Sequence, residues 1–167
     1  MTLQELFKGR IDLESVMARL VRVAREEGLP FGHRDKTYNS RLAQELGKWA
    51  ESKGRGQAYH EAMFRAYFAE GRNIGKVSEL LILAGSLNLP EEEARKVLEE
   101  RSFKEIVDRD WQRSRRMGVH AVPTFLIGGR FLVGAAPYET IEKLLIDSRV
   151  SKRQPQSEGN MHRDAYR

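Results

Sequence analysis

No cysteine occurs among the 167 residues, which removes disulfides, thiolate nucleophiles and thiolate metal sites together. Of the side chains that serve metal or proton chemistry, the histidines are four, His33, His60, His120 and His162. They are scattered without ligand spacing, and His60-Glu61 lacks the second histidine four positions on that a zinc protease helix requires. The sequence therefore predicts no metal site, no catalytic residue and no resident cofactor. His120 reads as a surface histidine rather than a ligand contact. Arg109, Arg113, Arg115 and Arg116 make a basic stripe that reads as a solvated helix face paired with Asp108 and Asp110. Tyr59, Phe64, Tyr67 and Phe68 could line an apolar pocket, but their helical spacing favours core packing. No phosphate-binding glycine loop, dinucleotide fingerprint or nucleophile elbow is present.

Charge narrows the partner classes. The 29 basic and 24 acidic residues leave a net charge of +5, and the two signs are interleaved through most of the chain. With no nucleic-acid signature and no basic groove interleaved with aromatics, a nucleic-acid partner is not expected. No stretch approaches the roughly 20 apolar residues of a membrane span, and Met1 to Arg10 lacks the order of a signal peptide. The expectation is a cytoplasmic chain without a membrane partner. A hydrophobic fraction of 40% suits one globular domain with a real core.

These side chains are carried by a run of helices. Asp12 reads as an N-cap before Val16, Met17, Leu20, Val21 and Ala24, and Gly28-Leu29-Pro30 closes that helix. Asn39 caps a second, with Leu42, Leu46, Trp49 and Ala50 inward and Gly54 and Gly56 as the stop. The large side chains of Gln57 to Glu70 occupy more than one face, so that helix should be enclosed on several sides. Val77 to Leu87 forms a fourth helix. Pro90 at the first helical position, followed by Glu91 to Glu93, starts a fifth, and Phe103, Ile106, Val107 and Trp111 mark a sixth that runs to Gly118. Beyond Gly118 the period shortens to that of strands. Val119 to Ile127 and Arg130 to Val133 flank Gly128-Gly129, a hairpin signal. Pro137 opens a closing helix, and from Ser148 the chain is polar, basic and without periodicity.

Gly118-Val119-His120-Ala121-Val122-Pro123-Thr124-Phe125 and Phe131-Leu132-Val133-Gly134-Ala135 resemble the cis-proline segment and the last strand of the DsbA-like thioredoxin-fold family. The likeness is to its FrnE-like and 2-hydroxychromene-2-carboxylate isomerase-like branches. Tyr38 to Ala43 and His60 to Phe68 are similar to the family's helical insertion, so the likeness runs from about Leu13 to Ile146. The resemblance implies an α/β, thioredoxin-like fold of mostly helical content, incomplete, with a large helical insertion. Residues 1–117 would be the insertion, 118–147 the second half of the thioredoxin fold, and 148–167 a disordered basic tail. It also implies a cis bond before Pro123, with Val122 and Pro123 facing the substrate.

A complete member would begin with a strand, a Cys-x-x-Cys motif or its serine variant opening a helix, and a second strand. By resemblance that portion is missing here. The expected function is that of a DsbA-like thiol-disulfide oxidoreductase family protein that is inactive in disulfide exchange as this cysteine-free chain. Two alternatives stay open: a glutathione-dependent isomerase or transferase of the hydroxychromene carboxylate isomerase type, and a non-catalytic module that binds a peptide or partner. The implied partners are a peptide or protein thiol, glutathione as co-substrate, and a second copy or another chain donating the missing strands. A two-stranded hairpin is marginal alone and would leave an apolar edge exposed.

Overall fold

The computed structural model describes residues 1–152. The chain forms two compact units, divided between Arg113 and Ser114, four residues before the boundary that the family resemblance implies. The expected tail from 148 overlaps the described residues only at 148–152, and the rest of it lies outside them.

The first unit is helical. Helix α1, Leu3–Phe7, was not foreseen. It is held by a capping box in which Thr2 and Glu5 exchange side-chain and backbone bonds of 2.8 and 3.0 Å. Helix α2, Leu13–Glu26, starts at Asp12, whose carboxylate accepts from the Ser15 amide. Its apolar stripe is only partly covered, and Val16, Leu20 and Val21 remain exposed. Helix α3, Arg41–Ser52, takes Ser40 as its N-cap. Asn39, the expected cap, instead accepts from the Arg41 amide at 2.9 Å, one residue further out. Helix α4, Gly56–Phe64, runs into a π-helical turn, Arg65–Ala69, marked by the bond from the Glu70 amide to the Arg65 carbonyl. Helices α5, Val77–Ser86, and α6, Glu91–Glu100, follow. Pro90 is the N-cap of α6 rather than its first residue, because the chain is still extended there. Arg101, in the left-handed conformation, turns the chain into α7, Lys104–Arg116.

One apolar cluster fills this unit. Leu46, Trp49 and Ala50 of α3 pack with Tyr59, Ala66, Leu80, Leu83, Ala84, Ala94, Val97 and Leu98. These residues recur every three or four positions, so each helix turns one stripe inward. The expected enclosure of α4 holds for Tyr59, 2% exposed, and fails for Phe64, 59% exposed. A short helix with large side chains on several faces cannot bury all of them in one layer of neighbours.

The second unit is a hairpin followed by a helix. Strands β1, Thr124–Ile127, and β2, Arg130–Val133, pair antiparallel with Phe125 opposite Leu132 and Ile127 opposite Arg130. The connection is Gly128-Gly129, both at positive φ, as a type I′ turn demands. Helix α8, Tyr138–Asp147, follows Pro137. Ser148 donates to the Ile127 carbonyl at 3.2 Å and Arg130 faces Asp147 at 3.6 Å, so the end of α8 is tied to the turn end of the hairpin. Among the described residues, none after Val107 is buried.

Candidate functional site

The residues expected to face a substrate lie at the foot of the hairpin. The Val122–Pro123 bond is cis, Val122 is 89% exposed, and the Pro123 carbonyl accepts from the Gly134 amide at 2.8 Å. Thr124 folds its hydroxyl back onto the Ala121 carbonyl at 2.6 Å and so fixes the approach to β1. Because Pro123 and Gly134 form a hydrogen-bonded pair, antiparallel alternation makes Thr124 opposite Val133 and Leu126 opposite Phe131 the non-bonded pairs. The amides and carbonyls of Thr124 and Leu126 therefore point away from β2. Val122, just before them, has no backbone hydrogen-bond partner among the described residues. The arrangement can pair with an extended chain. Its one hydroxyl, that of Thr124, is engaged by the Ala121 carbonyl, and His120 is exposed without a hydrogen bond or ring contact among the described residues.

A second concave site lies wholly in the first unit. A cavity of about 460 Å³ is framed by α3, α4, the π-helical turn and α7. Tyr59, Phe64, Tyr67 and Phe68, read from sequence as core, all line it. They serve both purposes, since Tyr59 is buried with its hydroxyl donating to the Ala43 carbonyl at 2.8 Å, while Phe64 stands in the open. The rings contact one another, with Tyr67 edge-on to Phe68 at 4.8 Å and Phe64 tilted against Phe68 at 6.0 Å. Sequence reasoning missed the opposite wall. There Trp111 donates its indole N–H to Gln44 at 2.7 Å, a contact across 67 positions that no local pattern announces.

The charged groups are arranged differently from expectation. Asp108 bonds Arg41 at 2.6 Å and faces Lys104 at 3.4 Å, and Asp110 faces Lys48 at 3.0 Å, so neither acid pairs with the arginine stripe. Behind them, Glu45 is fully buried and accepts from Arg41 at 2.7 Å and from Arg101 through two bonds of 2.7 Å. The Arg101 bonds, with help from Arg41 and against the cost of burial, hold the Glu45 carboxyl below its ordinary pKa. The same contacts raise Arg41 and Arg101. This clamp ties α3 to the turn between α6 and α7 and so braces the wall that carries Trp111. No group of three or more histidine, aspartate or glutamate residues suited to a metal occurs among the described residues. Among them, too, no helix is long and apolar enough to cross a membrane.

Known proteins share this architecture. The probable DsbA oxidoreductase of Streptomyces coelicolor superposes with a TM-score of 0.74 at 24% identity, over 96% of this chain and 72% of that one. A 2-hydroxychromene-2-carboxylate isomerase superposes with a TM-score of 0.69 at 20% identity, over 84% and 71% of the two chains. The uncharacterized protein YwbO of Bacillus subtilis strain 168 is 30% identical over 112 residues, 66% of this chain and 56% of its own length. This chain therefore spans just over half of that curated relative. The family model of the DSBA-like thioredoxin domain matches residues 6–146, and the chain belongs to that family.

Proposed function

We propose that this chain is a non-redox member of its family that holds an extended peptide, or the peptide backbone of glutathione, along the edge formed by Val122, Thr124 and Leu126. Disulfide exchange requires a thiolate to attack a disulfide sulfur, and this chain has none to offer. Backbone recognition needs no thiol. The observation that carries the reading is Val122, 89% exposed with its amide and carbonyl unpaired among the described residues, standing before a strand whose outward groups repeat at every second residue. An extended partner adds to such an edge by main-chain hydrogen bonds, and its alternate side chains supply specificity. The exposed Phe131 and Val133 of β2 offer apolar surface beside the same hairpin.

The test is an amide-resolved titration of the isotope-labelled chain with S-methyl glutathione and with a short thiol-free extended peptide. Saturable shifts are expected at Val122, Thr124 and Leu126. Val122→Pro, which deletes the first outward donor, should weaken binding about tenfold, the size of one hydrogen bond. Shifts confined to other residues, or unchanged affinity in Val122→Pro, would overturn the docking edge. Catalytic turnover in a thiol oxidation or disulfide reduction assay would overturn the non-redox reading.

A further inference from the structure

We infer that the cavity of the first unit is a binding site for a flat, uncharged aromatic compound bearing a hydroxyl or carbonyl group. The size fits, since a ligand pocket commonly encloses roughly 300–1,000 Å³ and this one holds about 460 Å³. Its shape follows from its walls. Gly47, on the cavity side of α3, lets the Tyr59 ring lie directly against the helix backbone, because even a Cβ there would come within 3.1 Å of Tyr59 Cε1. Trp111, fixed through its indole N–H to Gln44, forms the facing wall. Gln44 is itself held, donating to the Ser40 hydroxyl at 2.9 Å, so the wall is set before anything binds.

Charge selects against ions of either sign. Lys48 lines the cavity with its ammonium 3.1 Å from Glu51 and 3.0 Å from Asp110, both of which also line it. An incoming anion would compete with two carboxylates for one ammonium. An incoming cation would have to compete with Lys48 for Glu51 and Asp110, and it would meet ring faces already served, because the Arg34 guanidinium lies 4.3 Å from the Tyr67 centroid and 5.0 Å from that of Phe68. A neutral ring avoids both conflicts. The polar anchor is the Thr37 and Tyr67 hydroxyl pair, 3.2 Å apart, a long contact into which a ligand oxygen can insert as a shared partner. Phe64 supplies the exposed lip. It is 59% exposed, whereas Tyr59 on the same helix is buried, and it is met edge-on by His60 at 6.2 Å.

The full chain is titrated with 2-naphthol, with 2-naphthoate and 2-naphthylmethylamine as its anionic and cationic analogues and naphthalene as the oxygen-free one. The readout is the indole N–H resonance of Trp111. The naphthol should shift that resonance saturably and bind at least about tenfold more tightly than either ion, a difference of one well-placed interaction. Phe64→Ala should weaken the naphthol by a similar factor, while Ile82→Ala, which removes an equally exposed residue from α5 outside the cavity, should leave it unchanged. Tyr67→Phe should weaken the naphthol and leave naphthalene as it was, which separates a lost anchor from a disturbed fold. Equal affinity for either ion, insensitivity to Phe64→Ala, or a Trp111 resonance that none of the four compounds moves would overturn the inference.

Discussion

Replacing Glu45 by glutamine tests whether the buried clamp organises the helical unit. The carboxylate is fully buried and accepts three short bonds, one from Arg41 and two from Arg101. Glutamine keeps the volume but turns one acceptor into a donor aimed at a guanidinium N–H, so the two-bond contact with Arg101 cannot survive. Breaking a fully buried pair costs about 3–5 kcal/mol. Here Arg101 is 39% exposed and can recover hydration, and Arg41 keeps Asp108 and the Lys104 carbonyl. The expected loss is therefore about 2–3 kcal/mol after solvent screening. In urea, followed through the fluorescence of the buried Trp49, that loss lowers the midpoint by about 1–2 M. The pH dependence has a definite sign. Since the folded Glu45 pKa is lowered, its contribution is complete above the unfolded glutamate value of about 4.3 and fades as pH falls through the folded value. The gap between wild type and variant should be widest near neutrality and should close in acid. A loss under about 1 kcal/mol, or a gap that does not change between neutral and acid pH, would show that the clamp is a solvated surface pair, worth what such pairs usually are.

Three further substitutions probe separate parts of the structure. Gly32→Ala places a Cβ against the Ala69 carbonyl oxygen at the end of the π-helical turn, and should cost about 1–3 kcal/mol in a thermal or urea melt. Tyr59→Phe deletes the bond to the Ala43 carbonyl while keeping the ring. It should cost about 1–3 kcal/mol for the buried acceptor left behind, and a crystal structure should show the ring unmoved. Gly129→Ala forces a side chain into a left-handed turn position at φ +78° with open space around it. The cost is about 1–2 kcal/mol of conformational energy, seen as faster amide exchange of Phe125 and Ile127, while the exchange of the α3 core amides stays as it was.

What could be seen in the sequence depended on how far apart the cooperating residues lie. Asp12 before an apolar stripe, Pro137 before Tyr138 and Gly128-Gly129 between two strand-like runs are local signals, and each sits where the structure needs it. The short helix α1 carries a capping box that was equally local, but five residues give too few turns for an apolar period to appear. The clamp was invisible for a different reason. Glu45 is spaced like any polar residue on an amphipathic helix, and its decisive partner, Arg101, lies 56 positions away. Asp108 and Asp110 looked like partners for neighbouring arginines because only neighbours are visible in one dimension; their partners are Arg41 and Lys48 on another helix. For the aromatic run, helical spacing overstates burial at one position. Phe64 shares the spacing and still faces water, because α4 has more large side chains than neighbours to cover them.

The two sites differ in how binding couples to folding. The cavity rests on a unit that contains every buried side chain among the described residues, so its walls exist before a ligand arrives and little ordering is left to oppose binding. The hairpin has no buried residue, and two strands alone bury too little apolar surface to be firmly stable. A partner strand on β1 would cover part of that surface and pair the outward groups of Thr124 and Leu126 at once, so recognition there would also be consolidation. Part of the interaction energy is then consumed in ordering the hairpin. Affinity at the edge should consequently be modest for one short peptide and should rise with strand length, whereas affinity at the cavity depends on the shape and charge of a single small molecule. The two proposed recognition surfaces thus obey different physics, one set by backbone pairing and the other by preformed aromatic walls.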